Sequence, residues 1–219
     1  MDIVTGVGVL DKAVHVLRAV AEGPKSLGGL QAATGLPRAT AHRLAVALEM
    51  HGLLRRDDDG RFDLGPELAS LGRTAAERFP LAGLALPALD GLRAETEESV
   101  QLFVREGSHR RCIVSLQSPH ALRWIVPEGV LFPLDVGSAG RVLSGEITES
   151  GWVESVEERE PGVASVSAPV LDADGSVPAA VSVSGPIDRL TRRPGAHFGA
   201  RVVRSAREIS AMLGTPRPE

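Results

Sequence analysis

Four serines set in valine- and alanine-rich stretches are the first residues here whose type and spacing suggest chemistry. Ser165 and Ser167 alternate within Val163-Ala164-Ser165-Val166-Ser167-Ala168, and Ser182 and Ser184 alternate within Val181-Ser182-Val183-Ser184. In an extended chain alternate residues share a face, and the intervening Asp172-Ala173-Asp174-Gly175 has the composition of a tight turn. Paired as a hairpin, the two stretches would gather four hydroxyls on one side. Such a face is either turned to solvent or covered around a small polar ligand. Solvent faces usually carry Lys, Glu or Thr, and none of these four positions is charged, which favours the covered surface. Nearby in the sequence, Asp135-Val136-Gly137-Ser138-Ala139-Gly140-Arg141 opens a helix with small residues, where backbone N–H groups and the helix dipole favour an anion. Ser138 and Ala139 are therefore candidate donors to a ligand carboxylate, although a short Gly-rich turn is a weak signal alone.

A second group is basic. Arg38, Ala39, Thr40, His42 and Arg43 lie at the start and outer face of a helix whose Ala41, Leu44 and Leu48 fall on the opposite side. Arg can take a guanine edge with two hydrogen bonds, and Thr and His can reach bases or phosphates. Arg55, Arg56 and Arg61 follow on a short hairpin. They are either phosphate or minor-groove contacts, or a solvated surface balanced by Asp57, Asp58 and Asp59.

The elements that would position these residues can be read from punctuation. Apolar residues at helical spacing span 10–21, and Gly23-Pro24 ends them. Ser26 can cap a short helix over 27–34 closed by Gly35. Pro37 opens a third helix running to about His51 and Gly52. Residues 53–56 and 61–64 read as strands around an Asp-Asp-Asp-Gly turn, so a helix-turn-helix is followed by a wing. Residues 66–79 read as a linker helix and 84–96 as another amphipathic helix. Strands are expected at 99–104, 111–116, 123–126, 162–171 and 177–184, with helices at 137–143 and 198–213. The fold class is α+β: a winged helix-turn-helix over 1–65, a linker helix over 66–80 and an antiparallel-sheet domain over 81–219.

Composition limits the alternatives. The chain has 219 residues, 43% hydrophobic and 24% charged, as in globular proteins. Only 3% are aromatic and none is Tyr, so Leu, Val and Ala must build the core. The net charge of −4 arises after residue 65; the first 65 residues carry eight basic and eight acidic side chains. A neutral domain can still bind DNA when its charges are sorted in space. A single cysteine, Cys112, excludes an internal disulfide and a Cys-based zinc cluster, and it reads as a small core residue. The six His have no metal-ligand spacing. There is no G-x-S-x-G elbow, no Walker loop and no serine with an evident His and Asp. No cofactor and no enzymatic activity are expected. No apolar run approaches the roughly 20 residues that span a bilayer, and the N-terminus lacks a secretory pattern, so a cytoplasmic, non-membrane protein is expected.

Several blocks resemble the IclR family of bacterial transcriptional regulators. Gly35-Leu36-Pro37-Arg38-Ala39-Thr40-Ala41-His42-Arg43-Leu44 is similar to the family's recognition helix, and Gly60-Arg61-Phe62-Asp63-Leu64-Gly65 to its wing. Residues 162–170 and 181–186 resemble its effector-domain core. The runs Gly6-Val7-Gly8-Val9-Leu10-Asp11-Lys12-Ala13 and Glu158-Arg159-Glu160-Pro161-Gly162-Val163-Ala164-Ser165 are most similar to the actinobacterial NdgR-type regulators of amino-acid metabolism. The resemblance implies a GAF-like C-terminal domain, homodimers pairing through the N-terminal domains, commonly assembled into tetramers, a double-stranded DNA operator, and a small organic acid or amino acid as effector. It places the effector site on Ser138, Ala139, Ser165, Ser182 and Ser184, to which the shared face adds Ser167. One departure stands out: between Gly145 and Gly151 the chain is short where the family carries a helix-and-loop segment, which implies an open wall. The alternative is a DNA-binding dimer whose second domain only oligomerises.

Overall fold

The computed structural model describes residues 7–78 and 80–213. Gly6 of the first NdgR-like run and Phe79 at the end of the expected linker helix lie outside the described residues. The chain divides into two compact units, with the boundary after residue 79.

In the first unit, α1 (Gly8–Ala21), α2 (Leu27–Thr34) and α3 (Arg38–Met50) enclose a core of Val16, Val20, Leu30, Ala45 and Leu48. Ser26 caps α2 by accepting from the Gly29 amide at 3.2 Å, and Gly35, at φ 65°, closes it in the left-handed conformation that glycine tolerates. Pro37 is the N-cap of α3, one residue before its expected place. The wing is β1 (Leu54–Arg56) paired antiparallel with β2 (Phe62–Leu64), and Leu54 and Phe62 reach back into the helical core. Helix α4 (Pro66–Arg78) follows, and none of its described residues is buried.

The second unit is a six-stranded antiparallel sheet in the order β5-β4-β3-β8-β7-β6. Its strands are β3 (Ser99–Glu106), β4 (His109–Leu116), β5 (Leu131–Pro133), β6 (Val153–Val156), β7 (Val163–Val170) and β8 (Ala179–Pro186). Helices α5 (Leu81–Thr96) and α8 (Pro194–Leu213) cover one face, packing on Val100, Leu102, Val166, Val181 and Val183. The short helices α6 (Ser138–Leu143) and α7 (Ile187–Leu190) complete the unit. Residues of α6 pack on the opposite face with Phe103, Cys112 and Ala180. Strict alternation along β3 and β8 therefore sends valines to the long helices and Gln101, Ser182 and Ser184 to the α6 side.

Two expectations are corrected. Residues 123–126 form no strand; they belong to an irregular segment over 117–130. Their alternation is real, with Val126 buried and Ile125 exposed, yet the Trp124 carbonyl accepts from the Ser99 hydroxyl at 2.7 Å instead of joining a ladder. The two edge strands β5 and β6 were not expected, because three or four residues carry too little periodicity to register. The short connection over 144–152 is closed by Trp152, which lies where side chains at Gly195 and Gly199 of α8 would otherwise stand.

Candidate effector cavity and nucleic-acid face

Burial of Ala41, Ala45 and Leu48 fixes the rotation of α3 and turns Arg38, Ala39, His42 and Arg43 to solvent, with Thr40 half-buried. Leu27, Arg38, Ala39 and His42 line a shallow, open concavity. The exposed Arg38 Nη1 donates to Gln31 Oε1 at 3.4 Å. Among the described residues Arg38 and Arg43 make no ion pair. The wing differs. Arg55 pairs with Asp63 at 2.5 Å, Arg56 with Glu49 at 3.3 Å, and Arg61 with Asp57 at 2.8 Å and Asp59 at 2.9 Å. Arg56 also lies 4.1 Å over the Phe62 ring. Each wing arginine thus has an acidic partner to leave before it can reach a phosphate, whereas Arg43 does not.

In the second unit the serine hairpin forms, with Ser165 opposite Ser184 and Ser167 opposite Ser182. Helix α6 lies on it: the Ser138 hydroxyl is 2.7 Å from both the Ser165 and Ser167 hydroxyls. A cavity, partly open to solvent, is lined by Ser138, Ala139, Ser165, Ser182 and Ser184. Ser167 is fully buried behind Ser138 and does not line the cavity. None of residues 144–152 lines it.

Sequence reasoning missed the rest of the lining. Ser155 comes from β6, opposite Ser165. Gln101, 1% exposed, stands opposite Ser182 and accepts from the Ser184 hydroxyl at 2.8 Å. Its polar side chain among Val100, Leu102 and Phe103 is the same signal that singled out the serines. Arg110, 2% exposed, comes from β4; its Nη1 donates to the Pro133 and Val136 carbonyls, the latter at 2.7 Å. Arg159, half-buried, comes from the loop over 157–162 and lies 4.2 Å over Phe132 and 5.0 Å over Trp124. Two guanidinium groups therefore line the same space as the serine hydroxyls.

Three buried side-chain nitrogens have no hydrogen-bond partner among the described residues: Gln101 Nε2, Arg110 Nε and Trp124 Nε1. All three residues line this one cavity. Unsatisfied buried donors are costly, about 1–3 kcal/mol each, and native proteins keep few. Neither Arg110 nor Arg159 makes an ion pair among the described residues. Burial first, then repulsion from Arg159 and partly offset by Asp135, pushes the Arg110 guanidinium down to about 10, so it stays charged at neutral pH. Burial also lowers Arg159. Both guanidinium carbons sit near the Phe132 ring, at 5.4 and 4.2 Å, and so lie no more than about 10 Å apart. At an effective dielectric of about 20 their repulsion is at least about 1.5 kcal/mol. The cavity is rich in donors and positive potential, and suits an anion.

At the mouth of α6 the Gly137 amide donates to the Glu158 carboxylate at 2.9 Å, so that amide already has an anionic partner within the chain. Burial, then Glu128, pushes the Cys112 thiol up to about 12, as befits an inert core residue. Among the described residues no cluster of three or more His, Cys, Asp or Glu is placed to hold a metal ion, and no helix is long and apolar enough to cross a membrane.

Comparison with known proteins agrees with both halves. Residues 9–58 match the IclR helix-turn-helix domain, and residues 145–211 match the C-terminal domain of bacterial transcriptional regulator IclR. The chain is 29% identical to a glycerol operon regulatory protein of Streptomyces coelicolor, over 95% of this chain and 97% of that protein. It is 25% identical to the transcriptional repressor IclR of Escherichia coli, over 95% and 90%. The fold is that of an IclR homologue from Microbacterium hydrocarbonoxydans crystallised with 4-hydroxybenzoate, at a TM-score of 0.75 and 21% identity over 94% and 98%.

Proposed function

The chain belongs to the IclR family of bacterial transcriptional regulators, and on that premise we propose that it binds a DNA operator through α3 and tunes that binding through a small carboxylate or amino-acid metabolite held in the cavity of its second unit. One observation carries the effector half: the three buried donors without a partner all belong to the lining of one cavity. The homologue with a bound hydroxybenzoate supports an organic acid. Similarity of residues 158–165 to NdgR-type regulators supports an acid from amino-acid metabolism. None of the serines is assigned a catalytic role, in keeping with relatives that are regulators. The setting is the cytoplasm, where an operator is read.

Calorimetry with a panel of small acids and their uncharged amides tests this reading. An acid should bind, its amide should not, and the bound acid should change operator affinity in mobility-shift titrations. Ser182→Val should weaken that acid about tenfold or more, because it leaves an anionic oxygen unpaired in a partly dry site. Silence across the panel, or binding without effect on DNA, would leave the second unit as an oligomerisation domain.

The DNA-bound species is proposed to be a homodimer, with tetramers as a further assembly. Two half-sites one turn apart need two recognition helices at a fixed separation. Helix α4 buries none of its described residues although it carries Leu68 and Leu71, and α1 leaves Val9 66% and Leu10 53% exposed. These apolar surfaces are the proposed pairing faces. Light scattering at micromolar concentration should give at least twice the chain mass of 23.0 kDa; the mass of one chain would remove the dimer.

A further inference from the structure

We propose that the effector cavity is built for a dicarboxylate, one acid group meeting Arg110 and the other meeting Arg159. The inference rests on the effector reading above and adds the charge of the ligand. The two arginines come from separate elements, β4 and the loop over 157–162, and neither makes an ion pair among the described residues. Glu158 beside Arg159 is engaged by the Gly137 amide and by Arg141, at 2.9 and 3.1 Å, and Glu160 attracts Arg159 through space without forming an ion pair among the described residues. Glu160 is exposed.

A single carboxylate can meet one guanidinium fully and leaves the other charged and half-buried. Two acid groups on a short spacer meet both, since the guanidinium carbons are no more than about 10 Å apart around Phe132. The unpartnered donors divide in the same sense. Arg110 Nε is one, and Trp124 Nε1 belongs to the ring over which Arg159 lies at 5.0 Å. The walls between, Phe103 and Val126, suit a hydrocarbon spacer. A compact dianion such as phosphate concentrates its charge at one point and cannot serve two cations supplied from two sides as well.

The test is calorimetry on the intact protein with α,ω-diacids from malonate to adipate, the monoamide of each, and inorganic phosphate. One diacid should bind at least tenfold more tightly than its own monoamide and than phosphate. In Arg159→Gln, a change on a loop, the diacid should lose its advantage and fall to the level of its monoamide in the same variant. Monoamides that equal their diacids at every length, phosphate that equals the best diacid, or an Arg159→Gln protein that loses both ligands equally would each overturn the proposal. Heat with a monoamide but no preference for the diacid overturns this inference alone. Absence of heat with every acid removes the effector reading and this inference with it.

Discussion

Gly65→Ala is expected to unfold the DNA-binding unit and abolish operator binding while the second unit still melts cooperatively. Gly65 lies where β2 runs into α4, and its amide donates to the Leu53 carbonyl at 2.9 Å. A β-carbon there would overlap the Gly52 carbonyl oxygen and lie 2.7 Å from its carbon and 2.8 Å from the Leu53 carbonyl carbon. All of these are backbone atoms at the end of α3, and the Gly52 oxygen also receives the Glu67 amide at 3.1 Å, so no side-chain rotation relieves the clash. Overlap of this kind belongs with changes costing about 4 kcal/mol or more, a large part of the 5–15 kcal/mol that holds a domain together. Gly72→Ala is the matched control. A β-carbon there meets nothing within 4 Å, it lies inside α4, and it should leave stability unchanged or raise it by about 0.5–1 kcal/mol. Thermal melts followed by circular dichroism decide the matter; a Gly65→Ala protein that melts like wild type would contradict the packing of the wing against α3.

Arg43→Ala should cost about 1–3 kcal/mol of specific operator binding, roughly five- to 150-fold, and leave folding untouched. The side chain is exposed on α3, beside the buried Ala41 and Ala45 that hold the helix in place. It carries a full charge with no ion pair among the described residues, and in helix-turn-helix proteins this part of the second helix enters the major groove. Arg55→Ala is the contrast. It should weaken specific and non-specific duplexes alike and lower the salt dependence by less than one unit, because Arg55 must first give up Asp63 at 2.5 Å. Mobility-shift titrations at two salt concentrations, with a selected operator and a random duplex, separate the two. An unchanged operator affinity in Arg43→Ala would exclude α3 as the reading element.

What could be read from the residues alone was governed by local rules. Ser26, Gly35 and the Asp57–Gly60 turn act within a few residues of themselves, and each stands where local stereochemistry places it. The serine hairpin was legible because period-two spacing and a turn signal coincide, giving Ser165 opposite Ser184. Arg110 and Arg159 were not legible. Arg110 lies beside Arg111 and Arg159 between two glutamates, so each reads as a solvated loop charge. Only the sheet order, which brings β4, β6 and β7 around α6, turns them inward. Trp124 was misread for the opposite reason: its alternation with Ile125 and Val126 serves a cavity wall and no strand partner. Side chains that act across the sheet carry no local signature of where they will meet.

The placement of the two indoles gives the protein an optical property of its own. With no tyrosine in the chain, near-ultraviolet excitation is absorbed almost entirely by Trp124 and Trp152. Trp124 lines the cavity with its ring under a guanidinium and its N–H unengaged, whereas Trp152 is wedged against the bare backbone of α8 at Gly195 and Gly199. A ligand that engages that N–H or draws Arg159 off the ring changes the polarity around one emitter and leaves the other as an internal reference. Replacing Trp152 with Phe would leave a single fluorophore whose colour and intensity report occupancy without any added label.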